Sequence, residues 1–336
     1  MGRFTQRVNR ISPKYFIGKG KAEQIVNQAK MLDVNLIVFD DELSPTQVRN
    51  FMRLAESIKV IDRTALILDI FTQHARTREA KTQVELARLE YMLPRLTRMW
   101  THLERQMGGI GTRAGAGETQ IEIDRRLVRD RISKLQKEMK GIEKERETQS
   151  RRREKKFRIS LVGYTNAGKS TLLNVLTGAD VYIKDQLFAT LDTTVRSLVL
   201  DRKHKVLISD SVGFIRKLPH SLVASFKSTL KEAVDSDLLL LVVDASSRLL
   251  DEQLETVKEV LTSIGTRGKE TVVVANKIDL LTSSELRGLK DRFPHAIFIS
   301  AQNHLRLDAL LERMKKSVES SYQTAEVTFS ASLGKE

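Results

Sequence analysis

One stretch constrains the fold more than any other. Arg158-Ile-Ser-Leu-Val-Gly163 reads as a buried strand, Tyr164-Thr165-Asn166-Ala167 as a loop, and Gly168-Lys169-Ser170-Thr171 as the start of a helix. The spacing is that of a phosphate-binding P-loop in its strand–loop–helix context. The glycines allow successive backbone amides to turn toward one point, where they can cradle phosphates. Lys169 brings positive charge to the β- and γ-phosphates, and the Ser170 hydroxyl is a ligand for Mg²⁺. A strand that feeds a helix in this way opens a mostly parallel α/β sheet, so residues 157–318 are predicted to form a nucleotide-binding domain.

Later motifs choose the base. Thr271-Val-Val-Val-Ala275 is a strand running into Asn276-Lys277-Ile278-Asp279. A carboxylate accepts two hydrogen bonds from the N–H donors on one edge of guanine. Adenine offers an acceptor there, which would leave Asp279 unpaired at a cost on the order of 1–3 kcal/mol or more. Asn276 is expected to contact the base and tie its loop to the P-loop, and the Lys277 stem to cover the ring face. Ala296-Ile-Phe-Ile-Ser300-Ala301 reads as a further strand whose end can offer a backbone N–H to the guanine oxygen.

Between these motifs lie the phosphate sensors. Lys205-Val-Leu-Ile-Ser-Asp210 is a strand ending in an acid suited to hold Mg²⁺ through water, and Ser211-Val212-Gly213 follows, with Gly213 free to approach the γ-phosphate. Phe188-Ala189-Thr190-Leu191-Asp192 lies in the loop after the first helix, where a threonine can bind Mg²⁺ and the γ-phosphate. Thr193 and Thr194 compete for that role on position alone. Small regulatory GTPases place a water-orienting glutamine right after the glycine; here Phe214 stands there and can do no hydrogen-bonding work. Slow intrinsic hydrolysis is expected, with another group aligning the water.

The chain before this domain divides in two. Residues 1–76 read as a small α/β unit, with strands over Val34–Asp40 and Lys59–Asp62, a Ser44-Pro45 helix start, and a helix to about Leu32 after the Gly18-Lys19-Gly20 turn. Residues 77–156 are helical. Leu89, Leu93, Leu96, Trp100, Leu103 and Met107 form one heptad seam, and Val128, Ile132, Leu135, Met139 and Ile142 form another. The pair predicts an antiparallel helical hairpin, its first helix kinked at Pro94. The joining loop, Gly108–Glu118, is glycine-rich with Arg113 at its centre, and is longer than a mere connection requires. Arg151–Lys156 reads as a solvated hinge, and residues 319–336 as a tail.

The net charge of +14 narrows the partners to polyanions, either nucleic acid or, through peripheral association, anionic lipid. Cysteine is absent, which excludes a disulfide framework and thiolate metal sites. No secretory h-region or bilayer-length apolar run is present, so a soluble protein is expected, and the lack of cysteine suits the cytoplasm. A monomer is expected.

These residues resemble the HflX family, within the Obg-like translation-factor GTPases. The likeness is carried by Val60–Phe71, Gln83–Ala87, Glu90–Arg95, the Gly108–Glu118 loop, Gly163–Ser170, Phe188–Asp192 and Asp210–Phe214. The resemblance implies GTP and GDP as ligands and Ser170 and Thr190 as Mg²⁺ ligands beside Asp210. Lys169, Thr190 and Gly213 are expected to be the catalytic residues. The resemblance makes the hydrophobic Phe214 part of the pattern. It implies binding to the large ribosomal subunit and the 70S ribosome through ribosomal RNA, with splitting of stalled ribosomes under stress and the glycine-rich loop reaching the ribosome's catalytic centre. Four departures stand out. Ala114 and Ala116 replace a usual glycine and proline, Thr193 a proline and Ser211 a threonine, and the chain stops soon after Ser330, where many members continue into a further small domain. Two other readings compete: a nucleotide-gated RNA- or ribosome-binding switch with negligible turnover, and ATP-dependent RNA remodelling by the N-terminal region, supported locally only by Gly18-Lys19-Gly20.

Overall fold

The computed structural model describes residues 2–8, 10–96, 120–151, 156–178, 194–211, 213–215 and 227–321. They fall into two compact units. The first gathers Met1–Arg153, Gln186–Thr193 and Val212–Lys231, and the second Glu154–Asp185, Thr194–Ser211 and Glu232–Glu336.

The first unit starts as a small α/β layer. Helix α1 (Lys19–Met31), strand β1 (Leu36–Phe39), helix α2 (Pro45–Ala55), strand β2 (Lys59–Asp62) and helix α3 (Arg63–His74) follow in order, and the two strands pair in parallel. Local chemistry sets the helix starts. At α2, Ser44 Oγ accepts from the Gln47 N–H at 3.2 Å while Gln47 Oε1 accepts from the Ser44 N–H at 2.8 Å, a capping box with Pro45 in the first turn. At α3, Asp62 caps the Ala65 N–H at 2.8 Å. Phe51, Leu43, Ala22 and Val26 fill the core between α1, α2 and the strands.

Helix α4 (Arg78–Met92) and helix α5 (Gln120–Arg151) pack against each other. Arg78 pairs with Glu138, Glu85 with Arg131, and the Leu96 carbonyl accepts from Arg125, so one helix descends as the other climbs and the pair is antiparallel. Leu86 and Leu89 meet Leu135 and Met139, flanked by Val128, Ile132 and Ile142. The whole expected α5 seam therefore packs here, with Leu135 and Met139 buried and Val128, Ile132 and Ile142 half-buried. The α4 side differs from expectation. The α-helix ends at Met92 rather than kinking at Pro94; Leu93–Arg95 form a 3₁₀ turn and Leu96 is extended. Proline lacks the amide that would continue the ladder and disfavours helical geometry at the residue before it. Trp100, Leu103, Met107, Arg113 and the glycine-rich loop lie outside the described residues.

At the C-terminal end of α4 sits a buried carboxylate. Asp62, with no exposed surface, accepts from the Leu43 N–H at 3.1 Å and the Tyr91 hydroxyl at 2.8 Å. Arg95 donates to the Leu43 and Tyr91 carbonyls and lies 3.6 Å over the Tyr91 ring. Burial, with Asp62 beside it, pushes the Tyr91 phenol well above its ordinary value, so it stays a neutral donor. Three elements are thus joined at one point. Ile215 also packs in this unit, against a cluster that includes Ile67, Phe71 and Val84.

The second unit is the α/β sheet. Strands β3 (Arg158–Gly163), β4 (Thr194–Val199), β5 (Lys205–Asp210), β6 (Leu238–Asp244), β7 (Glu270–Asn276) and β8 (Ile297–Phe298) lie in the order β4-β5-β3-β6-β7-β8, with only β4 antiparallel to its neighbour. Helices α6 (Lys169–Thr177), α7 (Lys227–Val234), α8 (Leu250–Ser263), α9 (Ser283–Arg292) and α10 (Leu307–Ser321) follow in the chain. The near-continuous burial along β3 and β6 marks strands covered on both faces. Leu161, Leu240, Val242, Val274 and Ile208 form the core with Leu172 of α6 and Met314 of α10. In such a sheet ligands bind outside the carboxyl ends of the strands, which here carry Gly163, Asp210, Asp244 and Asn276.

Candidate nucleotide-binding site

The P-loop leaves β3 at Gly163 and enters α6 at Lys169. Gly163 passes so close to β6 that a Cβ would lie 2.1 Å from the Val242 carbonyl oxygen. Gly168 has φ +91° and faces Asn276, whose Nδ2 would be 2.2 Å from a Cβ there. Both glycines are therefore demanded by space as well as by dihedral. No side chain caps the start of α6, the end of a helix that favours an anion. Thr165 Oγ1 is buried without a hydrogen-bond partner. An orphaned hydroxyl and an uncapped helix start at one loop are what a bound phosphate would satisfy.

Lys169 is buried and donates to the carbonyls of Gly163 at 3.2 Å and Tyr164 at 2.9 Å. Burial pushes its ammonium below the ordinary lysine value, and the Asp210 carboxylate opposes that shift. Ser170 Oγ donates to Asp210 Oδ2 at 2.6 Å, which brings the hydroxyl and the carboxylate expected to serve Mg²⁺ to one point. They are oxygen donors of the kind a hard divalent cation takes. Among the described residues no three His, Asp or Glu side chains cluster as a metal site, so a cation here would share its shell between these two groups, water and phosphate. Ala167 is buried, Asn166 exposed with φ 60°, and Thr171 half-buried in the first turn of α6. The buried Ser211 hydroxyl donates to the Leu161 carbonyl at 2.7 Å, tying the end of β5 to β3. Gly213 and Phe214 are buried. Phe188, Ala189, Thr190, Leu191, Asp192 and Val212 lie outside the described residues.

The base loop closes the other end. Asn276 is nearly fully buried, donating to the Ala167 carbonyl at 3.0 Å and accepting from the Ala301 N–H at 2.9 Å. The expected tie to the P-loop is present. Both ends of the amide are held by protein, however, and so is the Ala301 N–H read from the sequence as a donor to guanine; the Ser300 N–H likewise goes to Leu305. Strand β8 ends at Phe298, short of these residues, which lie in the turn beyond it. Ile278 is buried and anchored by its N–H to the Ile299 carbonyl, whereas Asp279 is exposed. Lys277, at φ 66°, pairs with Asp244 at 2.7 Å. Sequence reasoning passed over Asp244. The available signal was an acid ending an apolar strand, as Asp210 does.

A mostly parallel α/β sheet with a P-loop at the end of β3, an acid at the end of β5 and an Asn-Lys-x-Asp loop after β7 defines a P-loop GTPase fold. Comparison with known proteins sharpens this. Residues 1–72 match a family described as GTP-binding GTPase N-terminal, residues 74–153 its middle region, and residues 158–277 a family described as 50S ribosome-binding GTPase. The chain is 52% identical over 277 residues to GTPase HflX of Flavobacterium psychrophilum, covering 82% of this chain and 66% of that one. It is 50% identical over 314 residues to GTPase HflX of Escherichia coli, covering 91% and 73%. A crystal structure of an SsGBP–GDP complex is similar at 30% identity and a TM-score of 0.51, over 92% of this chain and 88% of that one. The chain belongs to the HflX family of GTPases.

Proposed function

We propose that this chain binds GTP with Mg²⁺, hydrolyses it slowly alone, and works on the large ribosomal subunit and the 70S ribosome, in splitting or rescue under stress. The observation that carries the reading is the meeting of Lys169, Ser170 and Asp210 beside the uncapped start of α6, with Asp279 exposed after β7. The α6 amides and Lys169 hold the phosphates. Ser170 and Asp210, with Thr190, would hold the cation, which would supply positive charge against the phosphates. Gly213 lets the backbone approach the γ-phosphate, and Asp279 accepts from the guanine edge. Phe214 has no atom to orient water, which favours hydrolysis that depends on a partner.

The description of residues 158–277 as a 50S ribosome-binding GTPase and the +14 charge both support ribosomal RNA as that partner, in a cytoplasmic setting. Equilibrium binding of labelled GTP and ATP, with Mg²⁺ and with EDTA, tests the site. Tight GTP binding that needs Mg²⁺ and is not displaced by ATP is expected; equal affinity for the two nucleotides would overturn the base assignment.

A further inference from the structure

Lys277 sits in the base loop in a left-handed backbone conformation, with its ammonium 2.7 Å from Asp244 Oδ2. Asp244 is itself fixed. Its Oδ1 accepts from the Ser246 N–H at 2.9 Å and the Ser246 hydroxyl at 2.6 Å. Its backbone pairs with Asn276 across β6 and β7, and the next residue, Ala245, donates its N–H to the Asn276 carbonyl at 2.9 Å. The carboxylate is held from the strand, the register and the following turn, so it anchors the lysine rather than following it. The two side chains are only 25% and 20% exposed, which limits screening by water.

We propose that Asp244 is a positioning residue for guanine-nucleotide binding. It tethers the Lys277 ammonium so that the four-carbon stem stays over the site as an apolar lid for one face of the purine ring. A free lysine would spread its stem among many rotamers in solvent. The inference rests on reading Asn276–Asp279 as the base loop. It concerns the face of the ring, whereas Asp279 concerns its edge, so the two fail separately.

The test measures affinity and dissociation of fluorescent GDP, with competition by IDP, XDP and ADP. It uses the full chain and Asp244→Ala, Asp244→Asn, Lys277→Met, the Asp244→Ala/Lys277→Met pair, and Asp279→Asn. Asp244→Ala is expected to weaken GDP and IDP by the same factor, about tenfold, mostly through faster dissociation and with the ranking of bases unchanged. Asp244→Asn keeps an acceptor for Ser246 but loses the charge, and should show the same direction with an unchanged melting temperature. In the Lys277→Met background, which keeps an apolar stem and removes the ammonium, Asp244→Ala should add less than about twofold. A full effect in that background, or unchanged GDP dissociation in Asp244→Ala, would overturn the proposal. Asp279→Asn should move preference from GDP toward XDP; if it does not, the base loop reading fails whatever the Asp244 cycle gives.

Discussion

Gly168 shows how a single residue fixes the geometry of the site. Its φ of +91° and its closeness to Asn276 leave no room for a methyl group. Gly168→Ala is expected to cost about 1–3 kcal/mol in strain and to push Asn276 off the Ala167 carbonyl. Its GTP affinity should fall at least about tenfold, a change that titration calorimetry would read directly. The meeting of Lys169, Ser170 and Asp210 and the tie of Asn276 to the P-loop were legible at this scale, because a P-loop needs particular residue types at fixed spacing and chain neighbours supply most of its geometry. The second partner of Asn276 and the tether on Lys277 were not legible. Ala301 and Asp244 reach them across strands, through a parallel register that no local pattern encodes. Ser211 illustrates a milder case: its hydroxyl goes to the Leu161 carbonyl, a contact that a threonine could also make.

The helical pair was foreseen on one side and misjudged on the other. The stripe from Val128 to Ile142 packs against α4 as its spacing implied, because a 3–4 periodicity puts those side chains on one face whatever they meet. The α4 stripe was extended through Pro94, whereas Leu86 and Leu89 make the contact and the helix stops at Met92. Leu135 is the most deeply buried residue of that interface, so Leu135→Ala should cost about 2–5 kcal/mol. Faster amide exchange in α4 and α5, with protection of β3 and β6 unchanged, would show it.

A second prediction concerns the β4–β5 hairpin. There His204, the Lys203 N–H and Lys315 of α10 all favour the charged form of Asp201, whose carboxyl is held well below the ordinary carboxylate range. A depressed folded-state value adds stability above the unfolded-state value and loses it as pH falls toward the folded one. Asp201→Asn should therefore melt earlier than the parent at pH 7, and the difference should close as the pH is lowered through the acid range. A difference that persists at low pH would contradict the charge-based explanation.

At the scale of the whole molecule, two kinds of information meet. Among the described residues no helix is long and apolar enough to cross a membrane, and the chain carries +14 net charge. Charge alone names a class of partner and no more, since it says nothing about which surface binds. The ribosome is the proposed partner, supported by the match of residues 158–277 to a family described as 50S ribosome-binding GTPase, and Phe214 gives a chemical reason for such dependence: a phenyl ring stands where a water-orienting amide would serve. Ribosome binding through phosphate contacts should weaken steeply as salt rises. The most direct measurement is single-turnover GTP hydrolysis by the purified chain with and without large ribosomal subunits at fixed salt. Slow hydrolysis alone and a rise of at least about tenfold with subunits are expected. Fast hydrolysis by the chain alone, or a rate that subunits leave unchanged, would contradict it.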